Sequence, residues 1–91
     1  MNNKKLPKGS IQVIEILENK GGLTQIQLID EFNDKNPRAI RYTIRTLLEM
    51  ELLIRLPNFN DMRSSIFYIN EKMKEIVNNL VKREDPHTHN F

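Results

Sequence analysis

Asn36, Arg38, Arg41, Tyr42 and Arg45 carry the clearest chemistry in the chain, within the run Asn-Pro-Arg-Ala-Ile-Arg-Tyr-Thr-Ile-Arg at positions 36–45. An asparagine before a helix caps it, because the side-chain oxygen accepts from a free backbone N–H of the first turn. Proline suits the first helical position, where its missing N–H costs nothing. Arg38, Arg41, Tyr42 and Arg45 then recur at i, i+3, i+4 and i+7, the spacing of one helix face. Ile40, Ile44, Leu47 and Leu48 fall on the opposite face, and no acid follows until Glu49. A helix of this kind buries its back and offers its front to phosphates and base edges.

The elements that must position this helix are legible on either side of it. Residues 1–9 read as a flexible basic arm containing Lys4, Lys5, Pro7 and Lys8 and ending in Gly9. Ser10 is expected to cap a first helix over 11–20, whose apolar stripe is Ile11, Val13, Ile14 and Leu17. Gly21-Gly22 stops it, and Leu23 leaves room for a very short strand. Thr24-Gln-Ile-Gln27 matches the capping-box pattern and opens a second helix to about Phe32, with Leu28, Ile29 and Phe32 facing inward. The composition of Asn33-Asp-Lys-Asn36 predicts a turn, and the third helix runs from Pro37 to about Met50.

Two strands are expected next, Leu52–Leu56 and Ser65–Ile69, paired as a hairpin around the polar loop 57–64 with its two apolar exceptions, Phe59 and Met62. Asn70 is a candidate cap for a final helix over 71–83, with a stripe of Met73, Ile76, Val77 and Leu80. Residues 84–91 read as a flexible tail, which leaves one domain over 10–83 and no internal repeat.

The totals narrow the function classes. At 91 residues the chain suits one small domain. With 38% hydrophobic and 29% charged residues it has the composition of a soluble globular protein. The absence of cysteine removes disulfides, thiolate zinc sites and cysteine nucleophiles. No apolar run approaches the roughly 20 residues of a membrane span, and Gln12 and Glu15 interrupt the only stretch resembling a signal sequence. A cytoplasmic location is therefore the expectation. The formal net charge is only +2, but the charges are segregated. Basic residues occupy the arm and the third helix, whereas Glu15, Glu18, Asp30, Glu31 and Asp34 outweigh Lys20 and Lys35 between them.

Two helices joined by a short turn, the second with a basic outer face, make a helix-turn-helix, and a hairpin directly after it makes a wing. The order helix, short strand, helix, turn, helix, strand, loop, strand resembles the winged helix-turn-helix domains of bacterial and archaeal transcription regulators of the ArsR and MarR kind. The resemblance covers about residues 10–83, and its most specific piece is NPRAIRYTIRTLLEMELLI, Asn36 to Ile54. It implies a mainly α fold with a small β-hairpin, in α-β-α-α-β-β order plus a C-terminal helix.

The resemblance also implies roles. Arg38, Arg41, Tyr42 and Arg45 would face the major groove, where arginine is the usual bidentate partner of guanine. Asn36 would lie at the helix end beside a phosphate, and Arg63 in the wing would reach a phosphate or a narrow minor groove. Thr24 and Gln25 would touch the backbone from the second helix. Asp61, two residues from Arg63, weighs against deep insertion of the wing. The resemblance also favours a homodimer through the C-terminal helix, nucleoid-associated and reading a pseudo-palindrome; in a monomer the same stripe would pack across the core.

Other readings of the same residues stand beside these. The arginines would also suit a solvated helix face, Tyr42 the domain surface, Arg63 an ordinary loop and the N-terminal lysines a solubilising arm or a minor-groove arm. Phe59 and Met62 either fold back onto the hairpin or meet a partner. His87-Thr-His89 is a weak metal pair without a nearby ligand set, so no cofactor is expected. No glycine-rich phosphate loop and no nucleophile–base pairing is visible, so nothing supports an enzyme. A DNA-binding regulator is the leading expectation. The alternatives are a weakly specific architectural chromatin protein and a winged helix used for protein contact.

Overall fold

The computed structural model describes residues 6–33, 36–76 and 78–79. Its elements are α1 (Ser10–Lys20), β1 (Leu23–Thr24), α2 (Gln25–Asp30), α3 (Pro37–Glu49), β2 (Leu53–Pro57), β3 (Ser65–Ile69) and a 3₁₀ turn at Glu71–Met73. The order is the expected one, with shifts of one or two residues at several ends.

Ser10 does not cap α1. Gly9 takes the cap position at φ 89°, a left-handed conformation that glycine adopts without a Cβ penalty. Ser10 becomes the first helical residue, and its buried hydroxyl donates back to the Pro7 carbonyl at 2.7 Å. Val13, Ile14 and Leu17 face the core as their spacing requires. Gly21, at φ 81°, closes the helix with its N–H on the Leu17 carbonyl at 2.9 Å.

Thr24 and Gln27 form the capping box of α2, each side chain accepting from the other residue's backbone N–H at 3.2 and 2.9 Å. The helix ends at Asp30, two residues before the expected Phe32. The N–H groups of Glu31 and Phe32 reach only three residues back, to Leu28 and Ile29, so the last turn tightens while Phe32 stays buried. Asp34 and Lys35, in the expected turn, lie outside the described residues.

Pro37 opens α3 and the Asn36 side chain accepts from Ala39 N–H at 3.3 Å. The helix closes at Glu49, and Glu51 turns the chain at φ 64°. Leu52, expected to begin the strand, is instead buried in the connection, with its N–H on the Leu47 carbonyl at 3.0 Å. Consequently β2 starts at Leu53 and extends through Pro57.

The hairpin strands pair antiparallel with Leu53 opposite Ile69 and Arg55 opposite Phe67. The short β1 adds to the other side of β3, giving a three-stranded sheet in the order β1-β3-β2. Alternation then sends Leu53, Phe67 and Ile69 into the core. They meet Val13, Ile14, Leu17, Leu28, Ile40, Ile44 and Leu47, so all three helices and the sheet share one apolar centre.

Asn70 does cap the segment after the sheet, accepting from Lys72 N–H at 3.1 Å, but the first turn is 3₁₀ rather than α. Residues 74–76 continue helically. Met73 packs partly against the core, whereas Ile76 is exposed. The side chains of Val77 and Leu80, residues 81–83 of the expected helix, the tail at 84–91 and Lys4 and Lys5 of the arm lie outside the described residues. No helix among the described residues is long and apolar enough to cross a membrane.

Candidate nucleic-acid interface

The two-sided character of α3 comes directly from its sequence. Ile40, Thr43, Ile44, Thr46 and Leu47 are buried, while Arg38, Arg41, Tyr42 and Arg45 are exposed. Thr43 is tolerated inside because its hydroxyl returns a hydrogen bond to the backbone. The single Thr43 hydroxyl proton is shared between the Lys8 carbonyl at 2.9 Å and the Ala39 carbonyl at 3.0 Å. The Lys8 contact ties the segment before α1 to the rear of α3.

The front of α3 stands clear. Tyr42 is 60% exposed and does not fold onto the domain surface. Arg38 and Arg45 have no hydrogen bond or ion pair within the described residues. Arg41 is held by one contact, its Nε donating to Gln25 Oε1 at 3.1 Å across sixteen positions of sequence. Gln25, at the first position of α2, is thereby directed onto the α3 face.

Between α3 and the sheet lies an open cleft of about 480 Å³, lined by Gln25, Arg38, Arg41, Tyr42, Arg45 and Arg55 over a floor of Ile44, Leu48 and Phe67. Four guanidinium groups and no carboxylate border it. A second hollow of about 540 Å³, between the start of α2 and the wing, is lined by Thr24, Gln25, Arg55, Asp61, Arg63 and Ser64 among others. Gln25, Arg55 and Phe67 border both, so α3, the start of α2 and the wing form one continuous surface. Positive charge concentrated along such a surface raises the local concentration of an anionic partner.

Arg55 was not among the residues singled out by sequence. Strand alternation does contain its signal: two positions after the core residue Leu53, Arg55 shares the sheet's inner face. The core no longer covers that face at Arg55, which remains exposed opposite Phe67.

The wing loop is braced internally. Asn58 Nδ2 donates to Ser64 Oγ at 3.1 Å, and the N–H groups of Asp61 and Ser64 reach the carbonyls of Asn58 and Asp61 at 3.0 Å each. Asp61 Oδ1 accepts from both the backbone N–H and Nε of Arg63, each at 3.1 Å. Arg63 nevertheless leaves 92% of its side chain exposed. Phe59 and Met62 do not fold back onto the hairpin; they are 83% and 67% exposed. Thr24 Oγ1 is engaged in the cap as an acceptor, which leaves its O–H able to donate outward. Asn36, likewise engaged as a cap, is exposed beside Arg38. His87 and His89 lie outside the described residues.

No protein-family model matches the chain, and no curated protein matches it. Solved structures do. A MarR mutant from E. coli, bound to operator DNA, superposes with a TM-score of 0.69 over 79% of this chain and 51% of its own, at 18% identity. The adhesin competence repressor AdcR from Streptococcus pyogenes gives 0.74 over 96% of this chain and 62% of its own, at 21% identity. The zinc-responsive MarR family member ZitR from Lactococcus lactis gives 0.67 over 85% and 52%, at 22% identity. These likenesses establish a winged helix fold. The chain spans from about half to three-fifths of the length of these three structures.

Proposed function

We propose that the chain binds double-stranded DNA as a winged-helix transcriptional regulator, with α3 in the major groove and the hairpin loop 58–64 against the adjacent backbone. The carrying observation is the carboxylate-free arginine cleft, which joins the front of α3 to the wing in one surface. The likeness to a MarR protein bound to its operator supports the same reading. Arg38, Arg41, Tyr42 and Arg45 face the major groove, Asn36, Thr24 and Gln25 lie beside the phosphate backbone, and Arg63 extends along the wing. Regulation follows from occupying a promoter and blocking or recruiting polymerase. The role is non-catalytic, the location cytoplasmic and nucleoid-associated, and the assembly a homodimer through the C-terminal helix carrying Met73, Ile76, Val77 and Leu80. The exposed Ile76 supports that interface.

A fluorescence-anisotropy titration with a random duplex pool, at low and moderate salt, tests the proposal. Salt-sensitive binding, followed by enrichment of one sequence from the pool, is the expected result. Equal affinity for all duplexes would favour an architectural protein. Absence of binding at low salt would reject the DNA reading and favour protein contact through the exposed Phe59 and Met62 of the wing.

A further inference from the structure

The geometry points to a division of labour among the four arginines: Arg41 and Arg55 clamp a backbone phosphate at the edge of the groove, while Arg45 reads bases. The inference rests on the DNA-binding reading and assigns a binding residue, Arg55, together with the ligand chemistry it takes, a phosphodiester oxyanion. Gln25 is the positioning residue for Arg41.

The placement of the side chains carries the assignment. On the helical wheel Arg41 lies toward the sheet, on the edge it shares with Ile44 and Leu48, which form the cleft floor with Phe67. Arg38, Tyr42 and Arg45 follow at i, i+4 and i+7 along the outermost line, farther from the sheet. Arg55 comes from the opposite wall, on β2, and borders both the cleft and the wing hollow. No carboxylate is paired with Arg55 within the described residues. Two guanidiniums bordering one cleft with an apolar floor repel one another, and an anion bound between them would relieve that repulsion. A phosphate there accepts charge-assisted hydrogen bonds from both. The Gln25 contact takes Arg41 through Nε, so its terminal nitrogens remain available to such an anion. A group held from the side by a neighbouring helix is suited to a fixed backbone position and poorly placed to reach a base edge.

Phosphate contacts and base contacts separate cleanly in binding data. Loss of one phosphate contact weakens every duplex alike and lowers the log–log salt slope by about 0.9. Loss of a base contact falls on the preferred sequence. The experiment is a salt series of anisotropy titrations on the selected duplex and on an unrelated one, with the full chain carrying Arg55→Ala, Arg55→Lys, Gln25→Ala or Arg45→Ala, each first checked by thermal melting.

Arg55→Ala is expected to weaken both duplexes by the same factor and lower the slope by about 0.9, and Arg55→Lys to restore the slope. Gln25→Ala is expected to weaken both duplexes equally while leaving the melting temperature in place, and Arg45→Ala to narrow the preference between them. An unchanged slope in Arg55→Ala, or a loss confined to the selected duplex, would overturn the clamp while leaving DNA binding intact. A wild-type chain that binds neither duplex would overturn the DNA reading and the clamp together.

Discussion

Replacing Thr43 by valine tests how the segment before α1 is fixed to α3. Thr43 is 2% exposed, and its hydroxyl faces two carbonyls, that of Ala39 on its own helix and that of Lys8. Valine has nearly the same shape, so no cavity opens and the backbone propensity hardly changes. What disappears is the donor. The Ala39 carbonyl keeps its place in the helix, whereas the Lys8 carbonyl loses the one bond that links it across thirty-five positions to α3. A net hydrogen bond of this kind contributes about 0.5–1.5 kcal/mol.

Lys8 is exposed, so water can replace part of that bond, and the expected loss is about 1 kcal/mol. For a domain of this size that lowers the melting temperature by roughly 4–8 °C. Urea denaturation with an unchanged m-value is the measurement, joined to amide exchange at Ser10 and Val13, whose N–H groups bond to the Pro7 and Gly9 carbonyls. Exchange at these two amides should quicken more than at the buried amides of β3. A Thr43→Val chain with wild-type stability and wild-type exchange at Ser10 would refute the anchoring role.

Asn36→Ala removes the α3 cap and should cost about 1 kcal/mol in urea denaturation, with Asn36→Asp retaining most of the stability. Gly22→Ala should destabilise by about 1–3 kcal/mol, because a Cβ there meets the Tyr68 ring at Cε1 and Cζ and Ile66 Cγ2 at 2.8 Å; pairing it with Tyr68→Ala should recover much of the loss. Asp61→Ala should leave stability within about 1 kcal/mol, since its pair with Arg63 is solvent-exposed, and should tighten DNA binding in anisotropy titrations by removing a carboxylate that competes with phosphate for the Arg63 guanidinium; weaker binding would show that Arg63 contacts DNA only when braced by Asp61. Arg45→Ala should lose about 1–3 kcal/mol of discrimination at any base that Arg45 reads bidentately, measured by competition between the selected duplex and its single-base variants.

Local chemistry determined much of this protein. The cap at Asn36, the capping box at Thr24 and Gln27, the stop at Gly21 and the two faces of α3 are set by residues within a few positions of one another. Side-chain periodicity and backbone caps act over that range, so these features are legible from the sequence. The order of elements and the hairpin follow from the same rules. Ends were less legible where a neighbour decided them. Gly9 displaced Ser10 as the cap of α1, and burial of Leu52 in the connection moved the start of β2.

The tertiary structure alone decided what gathers around α3. Closing the apolar centre brings β2 beside α3 and turns Arg55, which strand alternation puts on the inner face without naming its neighbours, into the fourth arginine of the cleft. It also brings Gln25 to Arg41 and the Lys8 carbonyl to Thr43, pairs separated by sixteen and thirty-five positions. Such contacts depend on the direction in which packed side chains force the elements to cross. A periodic pattern states which face is buried, but the partner of that face is settled only when the whole core closes.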